Sequence, residues 1–294
     1  MIIEINNLKK RYKKEWVLHD INISIEQPQI IALVGPNGAG KTTLLNCVTN
    51  MLSFQEGSIY IFNKKHTNAS IFYDVSFLQD NRLLYMNLTG YDHLKLICKV
   101  QNIPLTEIDL VSEKIGMKAY LKKRVKNYSL GMKQHLLLSM AIINQPKLLL
   151  LDEPLNGLDP TSAINIRKIL LELYNQGTTI IVSSHNLDEI DRLTDTVYFM
   201  KDGTLIKESI ENMAKKKYVI TVNDIEKATT ILTERKITYQ KIDKNTFYID
   251  VKTIPLQHLI DYLNEKDTEI INIETQKTGA EIRYKELFEK ELKV

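Results

Sequence analysis

The segment Gly35-Pro36-Asn37-Gly38-Ala39-Gly40-Lys41-Thr42 constrains this chain more than any other. It has the P-loop form, with four residues between the first glycine and Gly40-Lys41-Thr42. The apolar run Ile30–Val34 before it reads as a buried strand, and Thr43–Val48 after it reads as a helix. In that setting the glycines let the backbone curl so that successive N–H groups point at an anion. The helix N-terminus adds partial positive charge. Lys41 can reach the outer phosphates of a nucleotide, and the Thr42 hydroxyl can hold a magnesium ion.

A second stretch reinforces the first. Leu148-Leu149-Leu150-Leu151 carries no polar residue, as expected of a strand covered on both faces in a parallel sheet, and it ends in Asp152-Glu153. Ligands of open α/β sheets sit at the carboxyl ends of the strands, so both carboxylates are expected beside the P-loop. There Asp152 can hold magnesium and Glu153 can polarise an attacking water. Thr178–Ser183 reads as another buried strand, which brings His185 to the same edge.

The rest of the pattern fills out an α/β protein. Residues 1–8 and 17–25 read as a hairpin, the second strand alternating Val17, His19, Ile21, Ile23 and Ile25 inward. Lys9–Trp16 between them reads as an exposed turn bearing the aromatics Tyr12 and Trp16. Strands are expected at 57–62 and 75–78, followed by a helical stretch over about 80–145 in which Ser129 caps one helix. Gly157–Pro160 is a turn into a helix at 161–175, and 196–206 closes the domain as a hairpin. The composition then shifts, with Gly279 the single glycine after Gly203. We expect a first domain over 1–208, a linker at 209–217 and a small α+β domain over 218–294. The last of these has a split βαβ pattern: strand 218–222, helix 225–234, strands 237–242 and 246–251, helix 256–264, strand 269–275, then a charged helix from Glu281 to the end.

Composition narrows the alternatives. A net charge of +3 and near-balanced signs in the C-terminal region offer no basic patch for nucleic acid. Apolar runs reach only about five residues, far short of a membrane span, and no secretory leader is expected at Met1–Asn6. Cys47 and Cys98 fall among apolar residues of helices and read as buried, reduced thiols.

Residues 1 to about 210 resemble the ATP-binding subunits of ABC transporters, a P-loop NTPase core with a helical subdomain. The matching elements run in order. Residues 35–42 resemble Walker A and Leu148–Glu153 resembles Walker B. Gln79, 38 residues after Lys41, resembles the Q-loop glutamine. Tyr128-Ser129-Leu130-Gly131-Met132 resembles the signature motif, with Tyr128, Leu130 and Met132 departing from its usual Leu-Ser-Gly-Gly-Gln. Leu158-Asp159 resembles the D-loop and His185 the switch histidine.

The resemblance implies an ATPase using ATP and magnesium. Lys41, Gln79, Glu153 and His185 would act in catalysis, and Thr42, Gln79 and Asp152 would hold the metal. Gly35, Asn37, Gly38, Ala39, Gly40, Lys41, Thr42 and Thr43 would cradle the nucleotide, with Tyr12 stacked on adenine. Ser129, Gly131 and Asp159 would complete the site across a dimer of two such subunits, a homodimer being expected. The implied partners are separate integral-membrane subunits at the cytoplasmic face of the membrane. The Tyr-Ser-Leu-Gly-Met-Lys-Gln variant with a C-terminal extension is similar to subunits serving bacitracin resistance and lantibiotic or peptide export. The competing class, a soluble ABC ATPase acting on ribosomes or nucleic acid, fits less well with one P-loop, no sustained heptads and near-neutral charge. A regulator without chemistry fits poorly with Gln79, Glu153 and His185 all present.

Overall fold

The computed structural model describes residues 1–79, 83–209, 217–250, 254–265, 268–276 and 280–288. It divides into two compact units, Met1–Glu208 and Ser209–Val294. Most of the expected linker, 210–216, lies outside the described residues.

The first unit contains β1 (Ile3–Tyr12), β2 (Glu15–Ile25), β3 (Ile30–Val34), α1 (Lys41–Val48), β4 (Glu56–Ile61), β5 (Lys64–Lys65) and β6 (Val75–Leu78). After these come α2 (Gly90–Gln101), α3 (Thr106–Ile115), α4 (Leu130–Ile142), β7 (Leu148–Asp152), α5 (Pro160–Asn175), β8 (Thr179–Ser184), α6 (Leu187–Asp191), β9 (Thr196–Lys201) and β10 (Thr204–Ser209).

Six strands form one sheet in the order β10-β9-β3-β8-β7-β6. The pairs β3/β8, β3/β9, β6/β7 and β7/β8 are parallel. Every residue of β3 and β8 is buried, as are the first four of β7, which explains the apolar runs Ile30–Val34, Leu148–Leu151 and Ile180-Ile181-Val182. Strand β8 lies between β3 and β7, so the P-loop, the Asp152-Glu153 pair and His185 all leave neighbouring strands at the same edge.

A second, antiparallel sheet has the order β2-β1-β4-β5. Its inward side chains, among them Ile3, Ile5, Ile21 and Ile59, share one apolar cluster with Leu44, Leu45 and Val48 of α1 and with Ile31 and Leu33 of β3. The P-loop helix is thus clamped by burial on several sides, and no propensity argument is needed for an eight-residue helix that would be marginal alone.

The hairpin differs from the sequence expectation. Lys9–Trp16 is not an exposed turn: β1 continues to Tyr12, β2 resumes at Glu15, and Lys13-Lys14 alone make the turn. The charges that suggested a loop have cross-strand partners. Lys9 pairs with Asp20 at 3.3 Å and Glu56 at 3.0 Å, and the Arg11 guanidinium lies 5.3 Å from the Trp16 ring centre. The alternation in β2 also breaks. Asp20 has φ 47° and the ladder shifts register nearby, so Leu18 is buried while Val17 and His19 are half-buried.

The helical stretch comprises α2, α3 and α4. Thr89 and Asp92 form a reciprocal capping box at the start of α2. Ser129 caps α4 by accepting from the Met132 N–H at 3.2 Å.

The second unit contains β11 (Lys217–Val222), α7 (Ile225–Glu234), β12 (Tyr239–Lys241), β13 (Thr246–Asp250), α8 (Leu256–Asn264), β14 (Ile270–Gln276) and α9 (Ala280–Phe288). Its sheet is antiparallel, ordered β12-β13-β11-β14, over a core that includes Ile220, Ile231, Leu232, Phe247, Leu259 and Leu263. This is a βαββαβ unit with its own core. The expected continuation of α9 to the chain end falls on 289–294, outside the described residues.

Candidate active site

The loop between β3 and α1 is shaped by its contacts. Gly40, the residue before α1, has φ 107°, a conformation that a Cβ would strain, and its Cβ would also press on Val17 and Leu18. At Gly35 a Cβ would come within 2.7 Å of the Met200 carbonyl oxygen. Lys41 folds back under this loop and is buried, its Nζ donating to the carbonyls of Gly35 at 2.7 Å and Pro36 at 3.2 Å. An ammonium has three N–H donors, which leaves one for a ligand oxygen. Burial lowers the Lys41 pKa from its ordinary value, opposed by the nearby carboxylates of Glu153 and Asp152.

Asp152 is gripped from two directions. The Thr42 hydroxyl donates to its Oδ2 at 2.6 Å, and the Ser183 hydroxyl donates to its Oδ1 at 2.5 Å. Ser183 stands directly opposite Asp152 in the β7/β8 ladder. Its Oγ also accepts the Glu153 N–H at 3.0 Å, so one buried hydroxyl sets both neighbours.

Glu153 leaves the strand with φ 51°, a left-handed conformation that costs a non-glycine residue about 1 kcal/mol or more. Contacts on every side hold it there. Its N–H donates to Ser183, its carbonyl accepts from Gln134 Nε2 at 3.2 Å, and its Oε2 lies 2.8 Å from His185 Nδ1. Gln79, just past the end of β6, donates through Nε2 to Asn46 Oδ1 of α1 at 2.9 Å.

One cleft of about 450 Å³, within the range of small-ligand sites, opens among these groups, and His185 reaches it through Glu153 without being one of its wall residues. Its walls include Asn37 to Thr43, Gln79, Asp152 and Glu153. The loop N–H groups and Lys41 favour anions, and the Thr42 hydroxyl, the Asp152 carboxylate and the Gln79 amide line the same cleft. Such a set of hard oxygen donors suits magnesium. The cleft can therefore take a magnesium-bound polyphosphate, with a carboxylate and an imidazole beside it.

Other residues singled out from the sequence lie apart from this cleft. Tyr12 ends β1, half exposed, and is not among its walls. Asp159 caps α5, accepting from the N–H groups of Thr161 and Ser162 at 3.0 and 3.1 Å and from the Ser162 hydroxyl at 2.6 Å, which holds its carboxyl below the usual range. Ser129 is engaged as the cap of α4, and Gly131 faces Leu158. Neither borders the cleft of its own chain. The structure adds Ser183, Asn46, Gln134, Asn156 and Leu130, the last three as cleft-wall residues. Ser183 could have been found from the sequence, as a hydroxyl directly after the apolar run Ile180-Ile181-Val182. Leu130 and Gln134 fall in the signature stretch already singled out, and Asn46 and Asn156 carry no such signal.

Comparison with known proteins agrees with this geometry. The sequence profile of the family described as "ABC transporter" matches residues 18–156. The lantibiotic transport ATP-binding protein SrtF of Streptococcus pyogenes is 38% identical over 207 residues, covering 70% of this chain and 90% of that protein. The bacitracin transport ATP-binding protein BcrA of Enterococcus faecalis is 35% identical over 229 residues, covering 76% of this chain and 74% of that protein. Among solved structures, an ATP-binding subunit of an ABC transporter superposes with a TM-score of 0.67 at 24% identity, covering 72% of this chain and 92% of that one. A dimeric ATP-binding cassette in a post-hydrolysis state, bound to ADP and Pi, gives 0.66 at 22% identity, covering 71% and 98%. At these identities the structural likeness establishes the fold.

Proposed function

The chain belongs to the ABC transporter family as an ATP-binding subunit and is an ATPase, and from that premise we propose that it powers export of peptides or antimicrobial compounds through separate membrane subunits. One observation supports the chemistry above all others. Thr42, Asp152 and Glu153 line a single cleft with the P-loop, and Ser183 and His185 hold the two carboxylates by hydrogen bonds.

In this reading the loop N–H groups and the free N–H of Lys41 bind the β- and γ-phosphates of ATP. Thr42, Asp152 and Gln79 would hold magnesium, which would supply neutralisation of the phosphate charge. Glu153 orients the attacking water and accepts its proton. His185, bonded to the Glu153 carboxylate, fixes that side chain and lies ready to reach the γ-phosphate. The chemistry is positioning and charge stabilisation.

Two copies packed head to tail complete the assembly we propose. Ser129 and Gly131 sit at the amino end of α4, where backbone N–H groups favour an anion. They do not border the cleft of their own chain, and in this arrangement they close on the partner's γ-phosphate, with Asp159 beside them. One chain carries both half-sets, so a two-fold dimer has two equal sites. Tyr12 serves as the adenine platform. Since no helix among the described residues is long and apolar enough to cross a membrane, the passage is assigned to partner subunits that hold this one at the cytoplasmic face. The names of the relatives, lantibiotic and bacitracin transport proteins, support a peptide cargo.

Gentle detergent extraction of the tagged protein from its host tests this reading. A stoichiometric polytopic membrane protein in the purified complex is the expected result. Ribosomal or nucleic-acid partners in its place would overturn the transporter assignment and leave the ATPase chemistry standing.

A further inference from the structure

Lys10 is a charged residue in a place that does not call for one. It lies in β1 with 6% exposure, and burying an ammonium is costly unless it is paired. Its Nζ donates to the Ser53 carbonyl at 2.6 Å and lies 5.0 Å from the centre of the Tyr12 ring. The two-residue period of a strand puts Lys10 and Tyr12 on one side of β1, so the contact is written into the sequence spacing. Ser53 belongs to the segment that leaves α1, the helix opened by the P-loop. The same segment is tied to β1 on either side of Lys10. The Gln55 N–H donates to the Lys9 carbonyl at 3.1 Å, and the Arg11 N–H donates to Gln55 Oε1 at 2.8 Å.

We propose that Lys10 is a positioning residue for nucleotide selectivity: it holds and polarises the Tyr12 ring so that the exposed ring face stacks on adenine. This rests on the reading of Tyr12 as the base platform. The tether to Ser53 fixes the ring's strand relative to the end of the P-loop helix. The cation against the ring draws π-density toward itself, which makes the far face a better partner for an electron-rich purine. Tyr12 is 47% exposed, so half of its surface is open to a base.

The test compares ADP with inorganic pyrophosphate, both with magnesium, by calorimetric titration of the full chain and of K10M, Y12A and the double variant. Pyrophosphate reports the P-loop alone, and ADP reports the P-loop plus the base. We expect K10M to weaken ADP roughly fivefold, as the ring loses both its hold and its polarisation, and to change pyrophosphate less than twofold. In the Y12A background K10M should add nothing further. K10Q gives the same comparison should K10M not fold. Equal weakening of both ligands by K10M, or no effect on ADP while Y12A lowers it, would overturn the role of Lys10 and leave the platform standing. If Y12A itself leaves the ratio of ADP to pyrophosphate affinity unchanged, the platform reading fails and the Lys10 proposal fails with it.

Discussion

Glu153 and His185, 32 residues apart in sequence, meet at 2.8 Å between Oε2 and Nδ1. Each comes off the carboxyl end of one of two neighbouring parallel strands, so the contact follows from the sheet order. If the pair works as a unit, its members are not additive. E153Q should keep ATP affinity within a few-fold and lower turnover by about 10²-fold or more. H185A should lower turnover by about 10²-fold, and the double variant should be scarcely slower than E153Q alone. Phosphate release at saturating ATP measures this, and multiplicative losses would dissolve the pair.

Ser183 offers a separate handle on the metal side. S183A removes the donor to Asp152 and one acceptor of the Glu153 N–H. Loss of a group that orients a ligand typically weakens metal binding about 10–100-fold. The magnesium concentration for half-maximal activity should therefore rise by roughly tenfold or more. Stability should fall by about 1–2 kcal/mol, read from denaturant unfolding.

The two cysteines make a prediction about pH. Burial pushes the Cys47 thiol up to about 11 and raises that of Cys98 as well. Neither should react with a disulfide reagent at pH 8 in the folded chain, and both should react in denaturant. A folded-state pKa above the unfolded value favours the fold below the unfolded pKa. That stability is lost as pH rises from about 9 through about 11, an effect on the order of 2 kcal/mol for Cys47. Unfolding curves at pH 8 and pH 10.5 should show the decline, and C47A should flatten it.

The signature departure at Tyr128 is accommodated by its surroundings. Its hydroxyl donates to the Tyr120 carbonyl at 2.8 Å, and its ring meets Tyr120 edge-on at 5.2 Å. A Cβ at Gly90 would lie 2.6 Å from that hydroxyl oxygen. G90A should lower the melting temperature by several degrees, and Y128F should recover part of the loss in the double variant although it weakens the chain on its own. Additive losses would place the strain of G90A on its other neighbours, Leu121 and Met117.

The sequence was most legible where burial alone decides structure. The runs Ile30–Val34 and Leu148–Leu151 could be nothing but covered strands, and the motifs at their ends had to share an edge. Helices α7 and α8 could be read to the residue, since apolar spacing and the Asp224 cap act locally. The hairpin tip was misread because Lys9, Lys10 and Arg11 look like loop residues until their partners at Asp20, Glu56, Ser53 and Trp16 are seen. Those partners are distant in sequence or across a turn, and charge patterning does not encode them. Asn46 is hidden for a related reason: it acts through the Gln79 side chain, and such second partners leave little trace in spacing.

Strand β8 between β3 and β7 has a consequence for how such a chain can vary. Parallel strands lie about 4.8 Å apart, so β3 and β7, which carry the P-loop and the two carboxylates, run two strand spacings apart, roughly 10 Å, and the side chains close that gap. That gauge is set by backbone hydrogen bonds and not by any loop. Loops at the opposite, amino-terminal edge of the sheet can lengthen, shorten or take on new partners without altering the gauge. The catalytic layout can thus stay constant while the periphery is rewritten.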